Sequence, residues 1–375
     1  MTDIPEKKKL NIVVIGTGMY VCGRGTDGYG TILPAIYEWK KSGAAGDVYV
    51  AGTGPQSVQV VKEKAAELDK LYGFHLDINY YPQNKRLDPE TYKKAINNIP
   101  KPACAIVVVP DNLHRTVAGY AVENGLHTLV VKPLAPTVKE TLELVELQRE
   151  NKVYCAVEFH KRFDRSNLKL KDTVSGGRIG ELLYFIVEYS QRKSIPTEKF
   201  KKWVETTNIF QYLGIHYVDI IQWATGAVPL RVAATGQKNF LVSRGIKTYD
   251  SIQAVIEWKP ASGNIFTSSF FTNWIDPENT SAMSDQKIKV IGAKGRYEAD
   301  QKNRGIRIVT DANGIEEPNP DFCSMYGTSA GDISFRGYGI ESVLQFLSDV
   351  SGIESGELKI SGLEGKRPTF KDSII

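Results

Sequence analysis

The chain has 375 residues, 42% of them hydrophobic and 24% charged, with a formal net charge of +4. A chain of this size holds about two to three domains with sizeable cores. No run approaches the ~18 consecutive apolar residues of a membrane-crossing helix. The small positive charge is spread along the sequence instead of gathering on one face, so neither a membrane nor a nucleic acid is expected as a partner. Cys22, Cys104, Cys155 and Cys323 stand far apart and form no CxxC pair, which argues against structural zinc and against a disulfide framework. The opening MTDIPEKKKL contains no apolar segment of a secretory signal. A cytoplasmic protein with reduced thiols and no metal is therefore expected.

The first half alternates strand and helix patterns. LNIVVI (10–15) is a β-branched run that ends in glycine, and a helical segment follows at 31–41. DVYVA (47–51) reads as a second strand, and 55–72 as a helix with apolar positions Val58, Val61, Ala65, Leu68 and Leu71. LDINYY (76–81), ACAIVVV (103–109), HTLVV (127–131) and VYCAVEF (153–159) continue the strand series. A helix is expected over 113–124, and another begins at Thr137, where T-V-K-E forms a capping box with Glu140. Continuous apolar strands between amphipathic helices predict a parallel sheet covered on both faces, and right-handed crossovers favour the doubly wound nucleotide-binding fold.

The second half reads differently. A helical stretch at 198–225 is followed by β-rich runs, with 181–192 before it and 229–236, 251–258, 264–274, 286–291 and 305–310 after it. ASGN (261–264) and GAKG (292–295) are hairpin signals, so one antiparallel sheet with a packed helix is expected. A last helix is expected at 338–350. The predicted organisation is a dinucleotide-binding domain over 8–155 and an α+β domain over 156–375.

Gly16-Thr17-Gly18 follows the first strand. One glycine permits the tight turn, and the second lets backbone approach a pyrophosphate at the start of the next helix. Val21 stands where a third glycine would complete GxGxxG, and CGRGTDGYG continues into a longer loop. At the end of the second strand, Ala51-Gly52-Thr53-Gly54-Pro55 carries neither an acid for a ribose hydroxyl nor an arginine for a 2′-phosphate. NAD is the expected cofactor, with NADP left open.

Three segments, VVIGTG (13–18), VVVPDNLHRTVAGYAVENGLHTLVVKP (107–133) and LGIHYVDIIQWATG (213–226), together resemble the glucose–fructose oxidoreductase and inositol dehydrogenase family, Gfo/Idh/MocA. The resemblance implies a Rossmann domain followed by a domain with a large, mostly antiparallel open sheet for substrate binding and oligomerisation, hydride transfer at a ring hydroxyl carbon of a sugar, cyclitol or glycoside, and a homo-oligomer. Oxidation at C3 of a glycoside is one activity it admits. Lys132 matches the lysine of the family's E-K-P motif, with Val131 in place of the glutamate and Pro133 as the proline. His216 matches the histidine of D-x-x-x-H, with Tyr212 in place of the aspartate. Pro110, Asn112 and His114 resemble the cofactor-side turn, where Asp111 replaces the more usual asparagine. Gly16, Gly18, Met19 and Thr53 complete the expected cofactor contacts, with Lys132.

Alcohol oxidation requires a base for the hydroxyl proton while hydride leaves. Histidine suits that role near neutral pH, so His216 is the expected base, and Lys132 is expected to stabilise the developing alkoxide. Helical spacing places Tyr212, His216 and Asp219 on one face, with Asp219 able to orient the imidazole. His160 and Lys161, in the polar cluster EFHKRFD (158–164), are expected substrate contacts. Two alternatives stay open: an enzyme that keeps and internally recycles its NAD, and a non-catalytic nicotinamide sensor.

Overall fold

The computed structural model describes residues 9–84, 86–201, 203–327 and 331–374. Its backbone contacts separate two units: one ends at His160 and resumes over Phe322–Ile374, and the other is Lys161–Asp321.

The first unit opens with β1 (Leu10–Ile15), α1 (Met19–Cys22), α2 (Ile32–Lys41), β2 (Ala45–Ala51), α3 (Pro55–Tyr72) and β3 (Ile78–Tyr81). It continues through α4 (Thr91–Asn98), β4 (Ala103–Val107), α5 (His114–Glu123), β5 (His127–Val131), α6 (Val138–Asn151) and β6 (Cys155–Glu158). The strands form one sheet in the order β3-β2-β1-β4-β5-β6, every pair parallel. This is the doubly wound order, with the topological switch between β1 and β4. All five residues of β4 are buried, as a strand covered by helices on both faces requires. The capping box of α6 forms, with the Glu140 amide donating to Thr137 Oγ1 at 3.2 Å.

The second unit holds α7 (Arg165–Ser175), β7 (Leu182–Arg192), α8 (Ile215–Thr225), β8 (Val228–Gln237), β9 (Ser251–Lys259) and β10 (Phe266–Asp276). After these come β11 (Ser284–Gly292), β12 (Gly295–Asp300), β13 (Ile308–Thr310) and β14 (Gly314–Glu316). Its main sheet has the order β12-β11-β7-β10-β9-β8. Both hairpin signals hold: β9–β10 and β11–β12 are antiparallel neighbours. The central pair β7–β10 is parallel, so the sheet is mixed and not wholly antiparallel. The helix expected over 198–225 is shorter. Phe210–Gly214 is a π-helical turn that leads into α8.

The chain then returns to the first unit through β15 (Ser324–Gly327), β16 (Ile333–Arg336) and α9 (Tyr338–Glu354). A single break near 155 therefore does not describe the organisation. The buried face of α9 (Ile340, Val343, Phe346, Leu347, Val350) joins the core that contains Ile36, Ile106 and Tyr154. Beyond it, Val157 N donates to Pro368 O at 2.8 Å along the edge of β6. An amphipathic helix announces its apolar stripe but not which core receives it. Among the described residues no helix is long and apolar enough to cross a membrane.

Candidate functional site

In the first unit the sequence-predicted cofactor residues and Lys132 lie at the carboxyl ends of β1, β2, β4 and β5, the side of an open parallel sheet where ligands bind. Gly16 follows β1 with φ at +127°, and a Cβ on it would lie 2.0 Å from the Val108 carbonyl oxygen. No other residue fits there without moving backbone. Gly18 is exposed, and a Cβ on it would meet nothing within 4 Å. Gly18 and half-buried Met19 thus leave an open cradle that suits a pyrophosphate group. The third glycine is not needed here, because α1 is a single turn closed at Cys22 and the chain loops before α2. Thr53 is exposed beyond β2, and its carbonyl accepts the Asp88 amide at 2.9 Å. Asp88 brings an acid near that strand end, but its carboxylate is engaged by Lys94 at 2.8 Å and by the Glu90 amide at 3.1 Å.

After β4 the chain turns at Pro110 into a short helical turn, Asp111–Leu113, that runs into α5. Asn112 is exposed. His114 is buried, its Nδ1 2.6 Å from the Pro133 carbonyl and its Nε2 2.9 Å from the Val109 carbonyl. Both edges of the imidazole therefore face backbone. His114 sits between the turn after β4 and the segment after β5, its neutral ring able to donate to one of the two carbonyls. Burial lowers its pKa.

Lys132 follows β5 and is only 7% exposed. Burial pushes its pKa down to about 8, opposed by the carboxylates of Asp111 and Glu158. These acids come from both neighbours of β5 in the sheet: Asp111 from the turn after β4, and Glu158 from β6, in register with Val131. Acid beside Lys132 is thus supplied across strands, although position 131 is valine.

Glu158 is itself fully enclosed. Ser342 donates to its Oε1 at 2.5 Å, and His160 Nδ1 lies 2.9 Å from its Oε2. The hydroxyl of Tyr20 lies 3.2 Å from the same His160 nitrogen, and burial and Glu158 raise the Tyr20 pKa. The His160 ring stacks on Tyr20 and Tyr338 at centroid distances of 6.1 and 5.7 Å, with Phe322 tilted against it at 5.4 Å. His160 therefore braces Glu158 inside the first unit. Sequence marked the cluster as polar but gave no sign of Phe322, Tyr338 and Ser342, which arrive from distant segments.

In the second unit Lys161 is 1% exposed. Its amine donates to Gln286 Oε1, lies 4.0 Å from Asp164, and sits over the rings of Tyr189 and Tyr217 at 5.6 and 5.9 Å. Burial lowers its pKa to about 8. These partners make it an interior cation. Arg162 forms a two-pronged pair with Asp219 at 2.6 and 2.8 Å. His216 is buried on α8. Tyr212 precedes it in the π-helical turn, so the four-residue spacing is not that of a regular α-helix. Its ring packs near Phe200, Trp203 and Trp274 at centroid distances of 5.1, 5.8 and 5.8 Å. The aromatic run 268–276 divides by strand alternation: Phe270 and Trp274 are fully buried, while Phe271 is 49% exposed.

Family models match both units. Residues 10–159 match the oxidoreductase family, NAD-binding Rossmann fold, and residues 167–298 match the GFO/IDH/MocA C-terminal domain. The chain belongs to the Gfo/Idh/MocA family. Its N-terminal domain is an NAD-binding Rossmann domain, in agreement with the open glycine cradle. The scyllo-inositol 2-dehydrogenase (NAD(+)) of Bacillus subtilis (strain 168) is 30% identical over 223 residues, 59% of this chain and 62% of that one. The inositol 2-dehydrogenase of Rhizobium meliloti (strain 1021) is 23% identical over 229 residues, 60% of this chain and 66% of that one. These matches span a little under two thirds of those relatives. Among solved structures, scyllo-inositol dehydrogenase from Lactobacillus casei with bound NAD(H) and scyllo-inositol superposes with a TM-score of 0.65 at 16% identity, covering 98% of this chain and 93% of that one. GenD2 from gentamicin A biosynthesis in complex with NAD gives a TM-score of 0.67 at 15% identity, covering 99% and 93%. At that identity the superpositions establish the fold.

Proposed function

We propose that this protein is an NAD-dependent dehydrogenase that oxidises a ring hydroxyl of a cyclitol, sugar or glycoside, with C3 of a glycoside among its candidate positions. The observation that carries the reading is Lys132, a buried amine at a strand end in the ligand crevice, its pKa brought down to about 8 between two acids. Bound NAD supplies the hydride acceptor. Lys132, as the ammonium, donates to the substrate oxygen and stabilises negative charge as it develops. His216 is assigned as the acceptor of the hydroxyl proton. Tyr212, half-buried among aromatic rings, is assigned to packing instead of proton transfer. The inositol dehydrogenases among the relatives support a cyclitol-sized substrate.

A homo-oligomer is part of the same proposal. The outer face of the second unit's sheet exposes Tyr184, Val255, Phe271 and Ile275 on adjacent strands, an apolar surface suited to a second copy.

The deciding experiment identifies the dinucleotide released from denatured protein by mass spectrometry. It is repeated after incubation with scyllo-inositol, myo-inositol and pooled sugars and glycosides. Bound or added NAD that becomes reduced supports the reading and names a substrate pool. Reduction that reverses within one mixture, with no net NADH, marks internal recycling. Dinucleotide bound but unchanged by every pool marks a sensor, and failure to bind NAD or NADP refutes the reading.

A further inference from the structure

The second unit holds a cavity of about 440 Å³ beyond the carboxyl ends of its parallel pair, β7 and β10. Three segments build it: the turn that follows β7, the connection between β8 and β9, and the loop after β10. Backbone bonds fix its walls. Asp250 is 3% exposed and accepts the amides of Asn239, Phe240 and Leu241 at 2.7, 2.7 and 2.8 Å. That clamp sets the position of Phe240, which lines the cavity. Glu278 Oε1 accepts the Ser194 amide at 2.5 Å, and the Lys193 amide donates to the Asp276 carbonyl at 3.1 Å. The turn after β7 is thereby tied to the end of β10.

Two cations of the lining meet at Phe240. The Arg244 guanidinium carbon lies 3.6 Å and the Lys193 amine 5.3 Å from the ring centroid. Among the described residues neither side chain forms an ion pair, and Arg244 Nη1 makes one long contact, 3.5 Å from the Phe240 carbonyl. An aromatic ring holds a cation in place without cancelling its charge. Both side chains thus keep N–H donors for a ligand. With Lys199, three cations stand against the carboxylates of Glu198 and Glu278, which leaves the lining a formal charge of +1. A lysine and an arginine side by side select an oxyanion. The two carboxylates and the Ser194 and Thr197 hydroxyls supply acceptors for ligand hydroxyls. The volume is that of a small-molecule site.

We propose that this cavity is a binding site for a small polyhydroxylated oxyanion, a sugar phosphate or a sugar acid. Lys161, Tyr212 and His216 do not line it, so the proposal rests on the second unit alone and stands apart from the dehydrogenase reading.

The test is calorimetric titration of the full chain with glucose 6-phosphate, glucuronate and glucose. At least one of the anions should bind about tenfold tighter than glucose or better, and its affinity should fall as sodium chloride is added. The anion that shows the preference identifies the charged group as phosphate or carboxylate. Lys193→Gln and Arg244→Gln should each weaken that anion by roughly tenfold, because each removes a charge-assisted hydrogen bond, and Arg244→Lys should weaken it less. Lys132→Ala should leave the anion affinity in place, which separates this cavity from the crevice of the first unit. The proposal is overturned if no probe binds, if glucose binds as well as both anions, or if the anion affinity is lost in Lys132→Ala. It is equally overturned if the Lys193→Gln, Arg244→Gln double variant, folded by circular dichroism, keeps the wild-type affinity.

Discussion

Lys132 provides the sharpest quantitative test. Burial brings its pKa from 10.5 to about 8, against the opposing pull of Asp111 and Glu158. At pH 7 about a tenth of the molecules then carry a neutral amine, against roughly one in three thousand for an unshifted lysine. The same shift is worth about 3 kcal/mol between folded and unfolded states. Its sign follows from proton counts. Between about 8 and 10.5 the unfolded chain binds more protons at this site than the folded one, so the Lys132 contribution raises stability as pH rises through that window. The assay is NMR on protein labelled with carbon-13 at the lysine ε-carbon. The Lys132 resonance is assigned by its loss in Lys132→Met and followed from pH 6 to 11. A midpoint near 8 is expected. Asp111→Asn and Glu158→Gln should each lower it further, by roughly one unit, because each removes a carboxylate that favours the ammonium. Oxidation rates should fall above about pH 8 as the donor loses its proton. A Lys132 midpoint above about 10, or an upward shift in either acid variant, would refute the reasoning.

Other consequences can be checked singly. Lys132→Ala should abolish turnover of any polyol while leaving NADH binding in place, read by kinetics and fluorescence. Gly16→Ala would put a methyl 2.0 Å from the Val108 carbonyl oxygen, so NADH affinity and thermal stability should both fall. Arg162→Met leaves the buried Asp219 carboxylate without its guanidinium and should cost about 3–5 kcal/mol in denaturant unfolding, whereas Arg162→Met with Asp219→Leu should cost less. His127 accepts the Tyr154 amide at 2.8 Å and lies 3.0 Å from Glu354 at the end of α9, so His127→Ala should destabilise the first unit by about 1–3 kcal/mol. Burial lowers the His127 pKa, so in wild type its contribution to stability is lost as pH falls below 6.5. Phe271→Glu should shift the sedimentation of the protein toward the monomer if the outer sheet face joins two copies.

Much of the fold was legible from local chemistry. Apolar β-branched runs separated by amphipathic helices required a parallel sheet, and turn glycines and a capping box marked its joints. Glycines, a proline turn and a lysine in chain order marked the ends of β1, β4 and β5 as the candidate site positions. The π-helical turn that carries Tyr212 was not legible, because sequence spacing assumes the regular helical repeat. The burial of Lys161 was not legible either, because it depends on partners from distant segments, here Gln286, and on Asp164.

The amino-acid sequence by itself determined the alternation of elements, the glycine turn and the family, since these depend on neighbours within a few residues and on motifs in fixed order. Only the tertiary structure decided that α9 returns to the first core, that Glu158 serves the lysine next to Val131, and that Asp111 is buried with an unsatisfied oxygen. Those outcomes come from contacts between residues far apart in the chain, where burial sets the charge and hydrogen-bonding state of each group, and no local pattern encodes which distant segment will supply the partner.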